Sequence, residues 1–316
     1  MAFELDIAGA DAGPLDVQIR GRLARLAEKA SAALDAAAFG APDERAAAAF
    51  EARRCAKRAR ALLRLARPAL AKSVYAAEND AWRDAARALS PLRDVSANAA
   101  LCRRLALASD RPVLARAYAD LAAEFDAEER GRVGGREGMD GMETASRILR
   151  VRRARAQDLP IIDPSAEAIV GGARKTYAKG RAEMRAAGRH PTDDAAHDWR
   201  KRVKHHAFQM RLLRPLDAPE LLAREDAAKA AARALGDMHD IAVFQAALEA
   251  RPRVSSAARP DLHRDLDRRR DRLRIDAFAF ADRLFAEKPR RFAAMLAEAA
   301  ARRRAGFAAP RIPATP

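Results

Sequence analysis

The sequence is poor in cysteine, in aromatic residues and in long apolar runs, and each shortage removes a class of protein. Its two cysteines, Cys55 and Cys102, both fall in helical patterns. They do not make a disulfide framework, and a reduced, cytoplasmic setting is the expectation. No uninterrupted apolar stretch approaches the ~18–20 residues that a membrane span needs. The opening MAFELDIAGAD carries acids and lacks the basic-then-apolar layout of a signal peptide. A soluble protein without a membrane partner follows. Aromatics make up 5% of the chain and do not interleave with its basic residues, which argues against a stacking platform for single-stranded nucleic acid. No segment shows the period-2 alternation of a strand.

What is abundant is alanine, leucine and arginine, all strong helix formers, so the fold class expected is all-α. Lys and Arg total 60 against 44 Asp and Glu, a formal charge of +16 with a pI near 10.8. Such a surface attracts polyanions and speeds their arrival. Nucleic acid, acidic membrane and inorganic polyphosphate all answer to that description. The 316 residues are enough for two halves.

One stretch occurs twice. Residues 49–68 read AFEARRCAKRARALLRLARP, and residues 196–215 read AHDWRKRVKHHAFQMRLLRP. They share cations and a terminal proline at a constant offset of 147, as from Arg53 to Arg200 and from Pro68 to Pro215. LSPLRDVSA at 89–97 likewise aligns with LGDMHDIAV at 235–243. Two copies of one helical unit are expected. At about 100° per residue, Arg53, Lys57, Arg60, Arg64 and Arg67 fall within an arc of roughly 80°, along about 20 Å of helix. Leu62, Cys55, Ala59 and Ala66 lie opposite. Arg200, Lys204, Arg211 and Arg214 repeat this cationic stripe, with a gap at Ala207. Like charges on one face cost stability, so an anion that neutralises them explains the face better than solvent does.

Helices are expected over 15–38, 43–67, 70–89, 92–107, 112–130 and 142–157 in the first half. The second half should hold helices at 164–187, 193–214, 218–236, 238–250, 258–287 and 289–304. Asp163 with Pro164, and Thr192, are the expected N-terminal signals of the first two of these. Five of the fifteen glycines lie between Gly131 and Gly141, which reads as a loop or hinge. A phosphate-binding glycine loop does not fit, because no strand precedes it and no GK[ST] follows. The organisation expected is an N-terminal segment 1–14, halves 15–158 and 159–305, and a flexible tail 306–316.

Catalytic chemistry finds little support. His197 and His205 stand about 12 Å apart along a helix, and there is no HExxH or zinc-type cluster. His239 with Asp240 could orient each other, or His197 could meet a residue of another helix. Neither cysteine has a base beside it in sequence. No catalytic residue, metal or cofactor is expected.

The two basic motifs and the LRD/MHD segments resemble the CHAD family, the conserved histidine α-helical domain. The first motif is matched at Arg53, Lys57, Arg58, Arg60 and Ala61. The second is matched at His197, Arg200, Lys201 and Lys204, with Phe208 as its aromatic. KTYAKGR at 175–181, with Tyr177 and Arg181, is similar to the helix preceding that motif. Phe50 stands where the first histidine is expected and Ala207 where an Arg is. The resemblance, over about residues 10–305, implies two four-helix bundles related by a pseudo-two-fold axis around a basic central groove or pore. It also implies non-catalytic binding of inorganic polyphosphate.

On that basis Arg53, Lys57, Arg60, Arg64, Arg67, Arg200, Lys204, Arg211 and Arg214 are expected to touch phosphate. Arg54, Arg58, Lys201, His205, Arg93 and His239 would flank the groove, and His197 would bond a phosphate oxygen or orient a neighbour. Non-specific nucleic-acid binding by the same surface is the alternative, and a helical phosphate-processing enzyme a more distant one.

Overall fold

The structure is a computed structural model, described over residues 4–8, 13–90, 94–134, 136–251 and 258–308. Among these residues there is no strand. Eleven α-helices run in the order α1 (Leu15–Ala36), α2 (Pro42–Leu65), α3 (Lys72–Ala88), α4 (Asp94–Leu107), α5 (Pro112–Gly134) and α6 (Arg136–Arg155). There follow α7 (Ala166–Arg189), α8 (Asp193–Leu212), α9 (Pro219–Glu249), α10 (Arg259–Leu284) and α11 (Pro289–Ala308). A 3₁₀ turn follows each basic helix, at Arg67–Ala69 after α2 and at Arg214–Leu216 after α8. The all-α expectation holds. Among the described residues no helix is long and apolar enough to cross a membrane.

Three pairs of neighbours have counterparts later in the chain. α1 packs on α2 as α7 packs on α8, and α1 on α6 as α7 on α11. α4 packs on α5 as α9 packs on α10. The buried residues form two clusters, and neither is confined to one half of the chain. Cys102, Tyr118 and Phe125 of α4 and α5 share the smaller cluster with Phe244, Leu248, Leu262 and Leu266 of α9 and α10. The larger one gathers α1, α2, α3, α6, α7, α8 and α11, with the remaining parts of α9 and α10.

Three local expectations are corrected. First, α9 is one 31-residue helix, with no break near Gly236. It runs from the larger cluster, through Leu221 and Leu235, into the smaller one at Ile241 and Phe244. No proline interrupts this run. Second, the described residues of the glycine-rich segment are helical and form no loop. Residues 131–134 close α5 and residues 136–141 open α6. Gly141 has a packing role. A Cβ there would lie 2.4 Å from the carbonyl oxygen of Ala88, so its absence lets α6 approach the end of α3. Third, α7 starts two residues later than Asp163 and Pro164 predict. Ser165 is its N-cap, and its hydroxyl accepts from the Ala168 N–H at 3.1 Å. Thr192 caps α8 as expected, accepting from the Ala195 N–H.

Residues 5–8 of the N-terminal segment are part of the packing. Leu5 is fully buried and its N–H donates to the carbonyl of Leu212. Gln18 holds both the N–H and the carbonyl of Asp6.

Candidate functional site

The two basic helices, α2 and α8, pack against each other at the centre of the fold. α2 buries alanine, leucine and Cys55 alone, which leaves its cations on the other side. Gln209, fully buried on α8, donates to the Ala61 carbonyl at 3.3 Å and to the Thr176 hydroxyl at 3.0 Å. One side chain thereby ties α8 to both α2 and α7. A Cβ on Gly172 would stand 1.8 Å from the Leu65 carbonyl oxygen, so only glycine lets α7 close on the end of α2.

Beside this crossing lies a cavity of about 530 Å³. Arg53, Arg54 and Lys57 line it from α2, and Arg200 and Lys204 from α8. α9 adds Lys229 and Arg233, together with the acids Asp237 and Asp240. Five residues expected from the two motifs therefore meet at one place. Arg53 is steered by α3, since its Nη1 donates to the Ala86 carbonyl and the Ser90 hydroxyl, both at 2.9 Å. Arg54 pairs with Glu51 at 2.6 Å, and Lys229 with Glu225 at 2.7 Å. Arg200 is largely buried and passes over Gly236, where a Cβ would contact its guanidinium at 3.8 Å. The rest of the lining is apolar, with Ala46, Ala49, Phe50, Leu89, Ala207, Phe208 and Ala232.

The other end of the α2 stripe is built differently. Arg64 donates through Nη1 to the Tyr75 hydroxyl at 2.7 Å and to Asn79 Oδ1 at 3.3 Å, and through Nε to His205 Nδ1 at 3.3 Å. Arg60 donates to the same Asn79 oxygen, and Arg67 lies over the Tyr75 ring at 4.9 Å. Burial, followed by neighbouring cations including Arg202, holds the Arg60 and Arg64 guanidinium groups below their ordinary pKa. Arg58 is lowered in the same way, by burial first and then by Arg54 and Arg211. This crowding of half-buried positive charge is the electrostatic signature of the centre, because a nearby anion relieves it.

Several expected residues stand elsewhere. Arg214 is held by both oxygens of Glu225, at 2.6 and 2.9 Å, and that carboxylate is 1% exposed. The fork that would grip phosphate is occupied within the protein. Tyr177 is fully buried, stacked on Phe292 at 4.5 Å, with its hydroxyl donating to the Glu287 carbonyl. Arg181 donates to the Phe285 carbonyl. Both fasten α7 to the chain between α10 and α11, and neither lines the cavity. His205 does not line the cavity. It is buried beside Arg64, and burial and the surrounding cations hold its pKa well below the usual value, so it accepts as a neutral ring. Lys201 is exposed and pairs with Asp198, and Arg211 is exposed near Arg58. His197 and His239 do meet, with ring centroids 4.8 Å apart, but neither lines the cavity. Arg93 lies outside the described residues.

Reading the sequence missed Lys229, Arg233 and Arg202 among the cations, and Tyr75 and Asn79 among the groups that hold them. A signal existed for two: Lys229 and Arg233 are four apart on one helix, just before the repeated LGDMHD segment. Among the described residues no three His, Cys, Asp or Glu side chains come together as metal ligands do. Burial raises the thiols of Cys55 and Cys102 to about 11 and about 12, so neither is a nucleophile near neutral pH.

An all-helical scaffold that gathers cations from three helices around one cavity is the class of protein this geometry defines. The chain belongs to the CHAD domain family, whose model matches residues 17–249, well over half of its length. A crystal structure of the CHAD domain from the plant Ricinus communis is similar with a TM-score of 0.59 at 18% identity, over 99% of this chain and 97% of that one. At that identity the likeness is one of fold. No curated protein matches the chain.

Proposed function

We propose that this protein binds inorganic polyphosphate at the cavity between α2, α8 and α9, without catalysing its turnover. The observation that carries the reading is the convergence of Arg53, Arg54, Lys57, Arg200 and Lys204 on one cavity, with Lys229 and Arg233 beside them. A linear phosphate chain offers roughly one negative charge per unit. Arginine forks grip phosphate oxygens in pairs, and lysines add point charges. Arg60, Arg64, Arg67, Arg58 and Arg211 extend the positive field beyond the cavity.

Membership of the CHAD family supports the choice of polyphosphate among polyanions. Internal duplication is part of the same proposal. The 147-residue offset carries Arg64 onto Arg211 and Arg58 onto His205, and both Arg64 with His205 and Arg58 with Arg211 are neighbours across α2 and α8. Neighbours that exchange under the offset are what a pseudo-two-fold axis at this crossing produces. The halves 15–158 and 159–305, a cytoplasmic setting and association with polyphosphate granules belong to this reading too.

The test is a titration of the purified protein with long-chain polyphosphate, duplex DNA and single-stranded RNA, at matched phosphate and about 150 mM salt. Polyphosphate binds tightest if the reading is right. Preference for either nucleic acid, or no polyphosphate binding, refutes it.

A further inference from the structure

The cavity holds more than charge. Phe50, one turn before Arg53 and Arg54 on α2, keeps 67% of its surface exposed while lining the same cavity as they do. Phe208 of α8 lines it as well, half-buried, so two aromatic side chains do stand among the cations, contrary to the expectation from sequence. Ala207, beside Phe208, lines the cavity too, so the cavity's apolar side draws on both α2 and α8.

A bare phosphate chain has no apolar surface to lay on a phenyl ring. An exposed Phe among cations contributes nothing to holding it. A ring attached to the phosphates changes this, because every nucleobase has a face that stacks on an aromatic side chain. The spacing suits such a ligand: on a helix Phe50 precedes Lys57 by about 10 Å, so a base over Phe50 leaves its phosphates among Arg53, Arg54 and Lys57. The volume of about 530 Å³ lies within the range of organic-ligand pockets.

We infer that this cavity is selective for a nucleoside polyphosphate, with the base on Phe50 and Phe208 and the phosphates on the cations of α2 and α8. The inference rests on the proposed polyanion reading of the same cavity and narrows its ligand. Purines, with the larger stacking face, bind better than pyrimidines on this account.

The experiment compares adenosine triphosphate, inorganic tripolyphosphate and long-chain polyphosphate by calorimetry, on the wild-type chain and on Phe50→Ala. Phe50 is mostly exposed, so the variant is expected to fold, and a thermal melt checks it. Adenosine triphosphate should bind at least about 5-fold tighter than tripolyphosphate, as one stacked base provides. Phe50→Ala should abolish that advantage while changing tripolyphosphate affinity less than twofold, and Phe50→His should fall between. Equal affinity for the two triphosphates, or an equal loss of both in Phe50→Ala, overturns the inference. Tighter binding of a short single-stranded oligonucleotide of matched charge overturns it as well. If long-chain polyphosphate binds and adenosine triphosphate does not, the narrower claim falls and the polyanion reading stands. The reverse result leaves the narrower claim standing without polyphosphate.

Discussion

The two basic helices carry the same cationic spacing and are used differently. α2 buries ten residues, all of them Ala, Leu or Cys. α8 buries Arg200, His205, His206 and Gln209 as well as its apolar residues. Both are enclosed, α8 by α7, α9 and α2, and α2 by α1, α3, α5, α7 and α8, so the difference lies in which residues each turns inward. The polar residues of α8 become internal struts: Gln209 ties three helices together, His205 accepts from Arg64, and Arg214, just past its end, clasps Glu225. α2 keeps its cations on one half-buried face. A shared spacing therefore does not mean a shared role.

That contrast can be broken by experiment, and the largest effect should come from Arg214. If it is a strut, Arg214→Ala leaves the buried Glu225 with Lys229 alone and costs about 3 kcal/mol of stability, the usual penalty for breaking a buried pair. Urea denaturation reads this loss, and polyphosphate affinity should change less than twofold. A stable variant that has lost affinity would return Arg214 to the site.

The buried histidines come next. His206 is fully enclosed by Tyr177, Phe285 and Phe292, and burial pushes its pKa from 6.5 down to about 3. The unfolded chain takes up the proton first as pH falls. Folding is therefore unpenalised above pH 6.5 and loses stability progressively between there and about 3, by about 2 kcal/mol at pH 5. His205 adds a change of the same sign. His206→Leu should accordingly lose about 2 kcal/mol less than the wild type between pH 7 and pH 5. An unchanged difference in urea midpoints would show that the ring is reached by solvent.

The smallest effect sharpens the comparison within α2 itself. Arg53→Gln with Lys57→Gln should weaken polyphosphate binding about tenfold and lower the salt slope by one to two, as fewer counterions are released. Arg60→Gln with Arg64→Gln removes groups that already bond Asn79, Tyr75 and His205. It should cost about 1 kcal/mol of stability and less affinity than the first pair. Equal effects on affinity would mean that the whole stripe contacts the ligand.

Much of this was legible in the sequence. Alanine and leucine at helical spacing, proline after each basic stretch and the 147-residue offset point to the helix order with only local errors. Periodicity placed Cys55, Ala59, Leu62 and Ala66 on the buried side, and all four are fully buried. Errors arose where a neighbour outweighed local preference. Gly141 belonged to a stretch read as a loop and a break was expected after Gly236, yet one admits α6 against Ala88 and the other makes room for Arg200. Tyr177 and Arg181 carried the right motif, but nothing local says that residues 285–292 fold over them.

The chain by itself determined the helices, their basic face and the excess of positive charge, because propensity, period and net charge are local or additive properties. Which cations share a cavity was decided only in three dimensions. Arg53 and Lys204 meet, and Arg214 is withdrawn to Glu225, because helices far apart in sequence pack at one crossing. Charge on a helix face can be read from spacing. Its partner depends on which other surface arrives, and that depends on the packing of the whole chain.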